Sequence, residues 1–276
     1  MVEYVIANAT VVPVRENSSE GAEQLTQLLF GEVCEVLDRL PRWTKIRSTL
    51  DGQEGWVDFK MVSPASSLIA SSPHRLEAIV AAPMAAATPM DGGADLLLTL
   101  GTRLPNYSHG TFEVLGQQYL IDPTCVNITT TQRSTGEADL QQSDLQRSDL
   151  VTIAQSLLNA PYLWGGKNLM GIDCSGFTQV VYAAMGVNLL RNAREQITQG
   201  EVVSSLSDVQ PGDLAFFDHA DRDPKATNIS HVGLMLSPTE IINFSGCVHI
   251  DTIDEQGIHL PDGTLTHHLV QIKRYL

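Results

Sequence analysis

Asp173-Cys174-Ser175-Gly176-Phe177 opens a segment whose apolar residues Phe177, Val180, Val181, Ala184 and Met185 share one helical face, with Gly186 as its stop. Asp173 is the residue type that caps a helix N-terminus, which puts Cys174 in the first turn. Backbone N–H groups exposed there favour a thiolate, lower the thiol pKa and make the sulfur nucleophilic. The same pattern also describes a capped helix whose first-turn cysteine only packs, because a lone cysteine behaves as a small core hydrophobe. Upstream, Leu150, Ile153, Ala154, Leu157 and Leu158 lie on a second helical face. Downstream the period changes, with strands expected over 213–217, 230–236, 241–244, 248–251 and 268–275. Helices followed by an antiparallel meander make an α+β pattern.

His231 falls inside the run Ser230-His231-Val232-Gly233-Leu234-Met235-Leu236. Val232, Leu234 and Leu236 point one way, and His231, Gly233 and Met235 the other, so Gly233 leaves open space beside the imidazole. A turn at Ser237-Pro238-Thr239 returns the chain through Ile241-Ile242-Asn243. If that turn closes a hairpin, Asn243 sits opposite His231 within a residue or two, on the same face. An asparagine carbonyl can accept from one imidazole nitrogen and aim the other at a thiol. Taken singly, His231 and Asn243 read equally as hydrogen-bonded strand residues. Together with a cysteine at a helix N-terminus they form a Cys-His-Asn set.

The N-terminal half reads differently. Val11 to Val14, Val33 to Leu37, Trp43 to Arg47 and Gly55 to Val57 are short strand candidates, with a hairpin turn at Asp51-Gly52. Frequent turns without a helical period indicate a small β-barrel over residues 1–65, with Trp43 and Trp56 as core aromatics. Glu20 to Leu29 reads as a helical turn or a long loop. A weaker copy follows over 66–144: Leu97-Leu98-Thr99-Leu100-Gly101 echoes Gln27-Leu28-Leu29-Phe30-Gly31, Phe112 to Val114 echoes Trp43 to Lys45, and Tyr119 to Asp122 echoes Glu54 to Asp58. Thr129 to Ser148 has linker composition, which places the boundary of the third domain, 145–276, near Leu145.

The chain has 276 residues, 43% hydrophobic and 18% charged, and can bury a sizeable core. Seventeen Lys and Arg stand against 32 Asp and Glu, a formal charge of −15 that argues against nucleic acid or an anionic membrane as partner. No apolar run approaches the roughly 20 residues of a spanning helix. Cys34, Cys125, Cys174 and Cys247 are too far apart for a zinc site and too few for a disulfide scaffold, so no metal or cofactor is expected. Met1 to Thr10 lacks the features of a signal peptide, so a cytoplasmic location is expected for a full-length chain. A periplasmic or envelope location is expected if such a peptide has been removed. His219, His249, His259, His267 and His268 read as solvated loop or strand-end residues. Arg191 and Arg194 either meet a substrate carboxylate or face water.

Four blocks in order, Pro161-Tyr162-Leu163-Trp164-Gly165-Gly166, Asp173-Cys174-Ser175-Gly176-Phe177, Pro211-Gly212-Asp213-Leu214 with Phe216-Phe217, and His231-Val232-Gly233-Leu234, resemble the NlpC family of bacterial cell-wall cysteine peptidases. They span about Leu150 to Tyr275, and the two small barrels resemble bacterial SH3-type domains. The resemblance implies a papain-like α+β catalytic domain in which Cys174 attacks, His231 is the base and Asn243 orients it. The family's commoner third residue is His. It further implies that Tyr162 helps bind the oxyanion, that Trp164 walls the pocket, and that Asp173, Ser175 and Glu23 line a site for a free N-terminal amine and the neighbouring D-Glu. Tyr162 and Trp164 read equally as packing aromatics, and Glu23 as an exposed loop carboxylate. The Arg191-Asn192-Ala193-Arg194 segment departs from the family's Arg-Asp-rich version.

The function so implied is hydrolysis of the γ-D-Glu–diamino acid bond in peptidoglycan stem peptides that begin with free L-Ala, in wall-peptide recycling or turnover. Two alternatives are an inactive module that binds muropeptides and an amidase or acyltransferase using the same three residues.

Overall fold

Alternating apolar residues at the start of the chain build seven strands, β1 (Tyr4–Ala7), β2 (Val11–Arg15), β3 (Gln24–Leu29), β4 (Val33–Leu40), β5 (Trp43–Ser48), β6 (Glu54–Asp58) and β7 (Val62–Ala65). The structure, a computed structural model, describes residues 2–65, 76–130, 138–219 and 228–276. The strands pair in the order β3-β2-β6-β5-β4-β1-β7 around Val5, Val12, Val14, Leu28, Cys34, Ile46 and Val57. Trp43 and Trp56 are not in that core. Thr44, Ile46 and Val57 take the inward positions, so period-two alternation turns both indoles to the half-buried outer face.

The stretch left open between helical turn and loop is strand β3 from Gln24 onward. Its alternation is erased because Thr26, Gln27, Leu28 and Leu29 are all buried. Leu28 faces the barrel core, while Leu29 belongs to the core of the C-terminal unit. A strand covered on both faces carries no period-two signature.

Residues 76–130 form β8 (Leu76–Val80), β9 (Met84–Pro89), β10 (Leu96–Thr99), β11 (Thr111–Val114), β12 (Gln117–Ile121) and β13 (Val126–Thr130). The pairings β9–β10, β9–β12, β11–β12 and β8–β13 repeat β2–β3, β2–β6, β5–β6 and β1–β7. Where β4 would recur there is an isolated bridge between Ile79 and Arg103. Each unit enters its last strand through one 3-10 turn capped by an aspartate, Asp58 accepting from the Lys60 N–H and Asp122 from the Thr124 N–H.

Helix α1 (Ala138–Gln155) runs through the stretch expected to be a linker and through the boundary expected near Leu145; residues 131–137 lie outside the described residues. Its Ala, Leu, Gln and Arg residues are good helix formers, and Leu150 and Ala154 dock it on the core. The short pair β14 (Lys167–Asn168) and β15 (Gly171–Ile172) precedes α2 (Cys174–Ala184), α3 (Ala193–Gln196) and β16 (Glu201–Val203). Then come β17 (Leu214–His219), β18 (His231–Ser237), β19 (Glu240–Ser245), β20 (Cys247–Ile253), β21 (Gly257–His259) and β22 (Leu265–Arg274). The expected meander closes on itself, because β22 pairs with both β17 and β21. Ala215, Phe217, Met235, Ile241, Ile253, Ile258 and Ile272 cluster on one face of this ring. Leu214, Phe216, Val232, Leu234, Ile242 and Phe244 face the other way and pack on Phe177, Val180 and Val181 of α2. Among the described residues no helix is long and apolar enough to cross a membrane.

Candidate active site

Asp173 caps α2 from an extended backbone (φ −98°, ψ 173°), its Oδ1 accepting the Gly176 N–H at 2.7 Å. Cys174 therefore begins the helix, buried to all but 8% of its surface. The backbone N–H groups of Val232 and Ser175 favour its thiolate, and α2 packs directly on β18. The helix N-terminus does not lower this thiol's pKa as expected. Burial first, and then the Asp173 carboxylate, push it up to about 12, against the opposing pull of Arg191 and the two N–H groups. A thiol pushed up in this way would need a nearby base to take its proton.

His231 opens β18, and Asn243 lies on β19. Leu234 pairs with Ile242 and Met235 with Ile241, so extending the register puts Gly233 opposite Asn243 and His231 on the adjoining diagonal. His231 Nε2 and Asn243 Oδ1 are hydrogen-bonded. The space expected beside Gly233 is filled, since a Cβ there would lie 2.6 Å from Ile241 Cδ1 and 2.8 Å from the Ile242 carbonyl. Aromatic rings enclose the imidazole: Phe217 at 6.0 Å, Phe244 at 6.4 Å and His267, stacked, at 4.5 Å between centroids. Neither His267 nor His249 is the solvated residue expected. His249 Nε2 bonds Asp251 Oδ2 at 2.9 Å, and the same oxygen accepts from Asn243 Nδ2 at 2.9 Å. His267 stacks on a ring from another strand, invisible in a local reading, whereas His249 is held by Asp251, two residues along its own strand. The His219 side chain lies outside the described residues.

The rim comes from two parts of the chain. Tyr162 is 43% exposed and tied by its N–H to the Gly246 carbonyl at 2.9 Å. Burial first, and then the neighbouring Cys174, push its hydroxyl up to about 12, so it stays a proton donor. Trp164, 59% exposed, donates from Nε1 to Glu23 Oε1 at 2.7 Å. Gln24 Nε2 donates to the Trp164 carbonyl at 3.0 Å. Gly165 (φ +74°) admits this contact, because a Cβ there would stand 2.5 Å from the Gln24 carbonyl oxygen. Gln27 Oε1 accepts from the Lys167 N–H and from Asn168 Nδ2, each at 2.9 Å, and Lys167 pairs with buried Glu32 at 3.2 Å.

Arg191, left open between substrate and solvent, does not face solvent. It is 2% exposed and donates to Asp173 Oδ1 and Oδ2, to Ser175 Oγ at 2.9 Å and to Thr26 Oγ1 at 2.6 Å. Asp173 Oδ2 also accepts the Gly165 N–H at 2.8 Å. Both oxygens of Asp173 are thus engaged within the protein, whereas Glu23 Oε2 bonds no described residue. Arg194 is exposed. Cys174 neighbours Tyr162, Asp173, Ser175 and the Val232 N–H that follows His231, His231 bonds Asn243, and Trp164 bonds Glu23. Local sequence reading missed Thr26, Gln27, Asp251 and His267. Among the described residues no three or more His, Cys, Asp or Glu side chains converge as a metal site.

Comparison with known proteins adds two matches, residues 159–266 to the NlpC/P60 family and residues 10–63 to the bacterial SH3 domain. The chain is 28% identical over 232 residues to the γ-D-glutamyl-L-lysine dipeptidyl-peptidase of Bacillus cereus, an alignment covering 79% of this chain and 66% of that one. It is 38% identical over 94 residues to the probable endopeptidase p60 of Listeria seeligeri, covering 34% of this chain and 17% of the other. A crystal structure of an NlpC/P60 family protein from Bacillus cereus superposes with a TM-score of 0.79 at 19% identity, covering 99% of each chain.

Proposed function

The chain is a peptidase of the NlpC/P60 family with a bacterial SH3 domain ahead of its NlpC/P60 domain, and on that premise we propose that it hydrolyses the γ-D-Glu–diamino acid bond of soluble stem peptides with a free L-Ala. The observation that supports this reading is the Glu23–Trp164 contact, which sets a carboxylate of the first barrel beside the residue preceding Gly165, whose N–H bonds Asp173 next to Cys174. An open carboxylate there suits an ammonium group, and a barrel at the mouth suits a short peptide better than intact wall. The Bacillus relatives' names point to the same bond. On the same reading residues 76–130 are a divergent SH3-like barrel, and α1, α2 and the strand ring form a papain-like α+β unit.

In the proposed reaction His231 takes the thiol proton on Nδ1 and Cys174 Sγ attacks the γ-carbonyl carbon of D-Glu. The developing oxyanion accepts from the Cys174 backbone N–H and the Tyr162 hydroxyl. Collapse breaks the C–N bond, the imidazolium gives its proton to the leaving amine, and water then hydrolyses the thioester with His231 as base. The test is incubation of the full chain with L-Ala-γ-D-Glu-L-Lys and its diaminopimelate analogue. Release of L-Ala-γ-D-Glu, absent from Cys174→Ala, is expected. Binding without cleavage, or cleavage that survives in Cys174→Ala, overturns the reading.

A further inference from the structure

His231, Asn243, His249 and Asp251 meet on one side of three consecutive strands. Asn243 is paired with His249 across β19 and β20, and Ile241 with Asp251, so the polar side chains fall in register on a shared face. We propose that Asp251 is a positioning residue that sets which way the Asn243 amide faces and, through it, which nitrogen of His231 carries the proton. This rests on the reading of Cys174 and His231 as nucleophile and base.

The argument follows from what each atom can donate. An ionised carboxylate only accepts, so the Asn243 group 2.9 Å from Asp251 Oδ2 is the NH2 end of the amide. That turns Oδ1 toward His231. An amide oxygen also only accepts, so Nε2 of His231 is the nitrogen that bears hydrogen. The neutral ring then has its lone pair on Nδ1, the atom that takes the thiol proton in the proposed reaction: the S–H bond breaks, an Nδ1–H bond forms, and a thiolate–imidazolium pair results. With the amide reversed, Nδ2 would face Nε2, the ring proton would move to Nδ1, and no lone pair would remain for the thiol.

Asp251 is itself fixed. Its side chain is 12% exposed, and Oδ2 also accepts from His249 Nε2 at 2.9 Å. Asn243 is 2% exposed, so little water reaches the amide to substitute for the carboxylate. A histidine at the third position would orient the base with a ring nitrogen. An asparagine has two near-identical ends, and the carboxylate behind it distinguishes them.

The test uses the full chain labelled with 15N-histidine, read by the ring nitrogen shifts of His231 and by the rate at which iodoacetamide alkylates Cys174. Neither readout needs a substrate. The unsubstituted protein should show the Nε2–H tautomer. Asp251→Ala should shift the population toward Nδ1–H and slow alkylation about tenfold or more. Asp251→Asn, whose carbonyl can still accept from Nδ2, should recover most of that rate. In an Asn243→Ala background, Asp251→Ala should change the rate by less than about twofold, as expected of a residue acting only through Asn243. An Nδ1–H tautomer in the unsubstituted protein overturns the proposal, even if the alanine variant does not fold. So do an unchanged signature in folded Asp251→Ala and fully additive losses in the double variant. An Nε2–H tautomer with a normal response to Asp251 but no peptide hydrolysis would count against the peptidase reading alone.

Discussion

Arg191 grips both carboxylate oxygens of Asp173, at 3.1 Å on Oδ1 and 2.6 Å on Oδ2, and the same guanidinium reaches Thr26 on the first barrel. The cap of the helix that begins at Cys174 and the docking of the barrel therefore share one buried cation. Arg191→Met should leave the Asp173 carboxylate buried with only N–H and hydroxyl neighbours, at a cost of about 3–5 kcal/mol. A melt that moves by only a degree or two would show that the clamp contributes little. Thr26→Val removes the barrel's end of the contact and should cost less, about 1–3 kcal/mol for the donor left unpaired.

Roles within the proposed triad should separate kinetically. His231→Ala removes the proton acceptor and should lower kcat by about 10²–10⁴-fold. Asn243→Ala removes only the group that aims the base, and its loss should be smaller. Asn243→His should retain activity, because a ring nitrogen can serve the same purpose. Iodoacetamide should label Cys174 faster than Cys125 or Cys247, although those two are the more accessible thiols. Mass mapping that ranks the four cysteines by exposure alone would remove the nucleophile.

The parts of the site legible in sequence are those set within a few residues. Asp173 caps the helix that starts at the next residue, and one hairpin carries His231 to Asn243, so both follow from spacing. Strand β3 was illegible because burial on both faces removed its alternation. Arg191 was illegible because its partners lie 18 and 165 residues away, a relation no periodicity encodes. Asp251 has a milder version of the same difficulty. Its diagonal placement beside Asn243 depends on the β19–β20 turn, and a carboxylate on a strand reads locally as a solvated residue. The polar first turns of α1 misled for another reason, since residues that favour linkers also favour helix, and only docking of its last turns decides.

Glu32 ties the stability of the barrel contact to pH. Burial holds its carboxyl above the ordinary 4.5, with Lys167 pulling the other way. A carboxyl raised in the folded state binds more protons there than in the unfolded chain, between about 4.5 and its raised value. Stability should therefore fall as pH rises through that window, with no effect of this group below it. Glu32→Gln cannot titrate, so its melting temperature should vary less with pH across the same range. Equal slopes for the two proteins would show that Glu32 titrates as it does when unfolded.

The substrate's free amine provides the sharpest test of the proposed specificity. Asp173 was expected to hold the ammonium, but its oxygens are occupied by Arg191 and by the Gly165 and Gly176 N–H groups. Among the described residues the Glu23 side chain bonds only through Oε1, to Trp164 Nε1, and in the proposed site it is the carboxylate with an oxygen to offer. Glu23→Gln keeps an acceptor for the indole while removing the charge, so the rim geometry should survive. A charge-assisted hydrogen bond to an ammonium is worth about 1.5–3 kcal/mol, so kcat/KM for a free L-Ala peptide should fall about 10- to 100-fold. N-acetylating the L-Ala should cost the unsubstituted protein a similar factor. The acetylated peptide should then be indifferent to Glu23→Gln, because the charge it has lost is the one Glu23 would pair. If Glu23→Gln slows both peptides equally, Glu23 acts on the fold of the rim. If it slows neither, the amine is bound elsewhere, and Asp173 would have to release Arg191 to bind it.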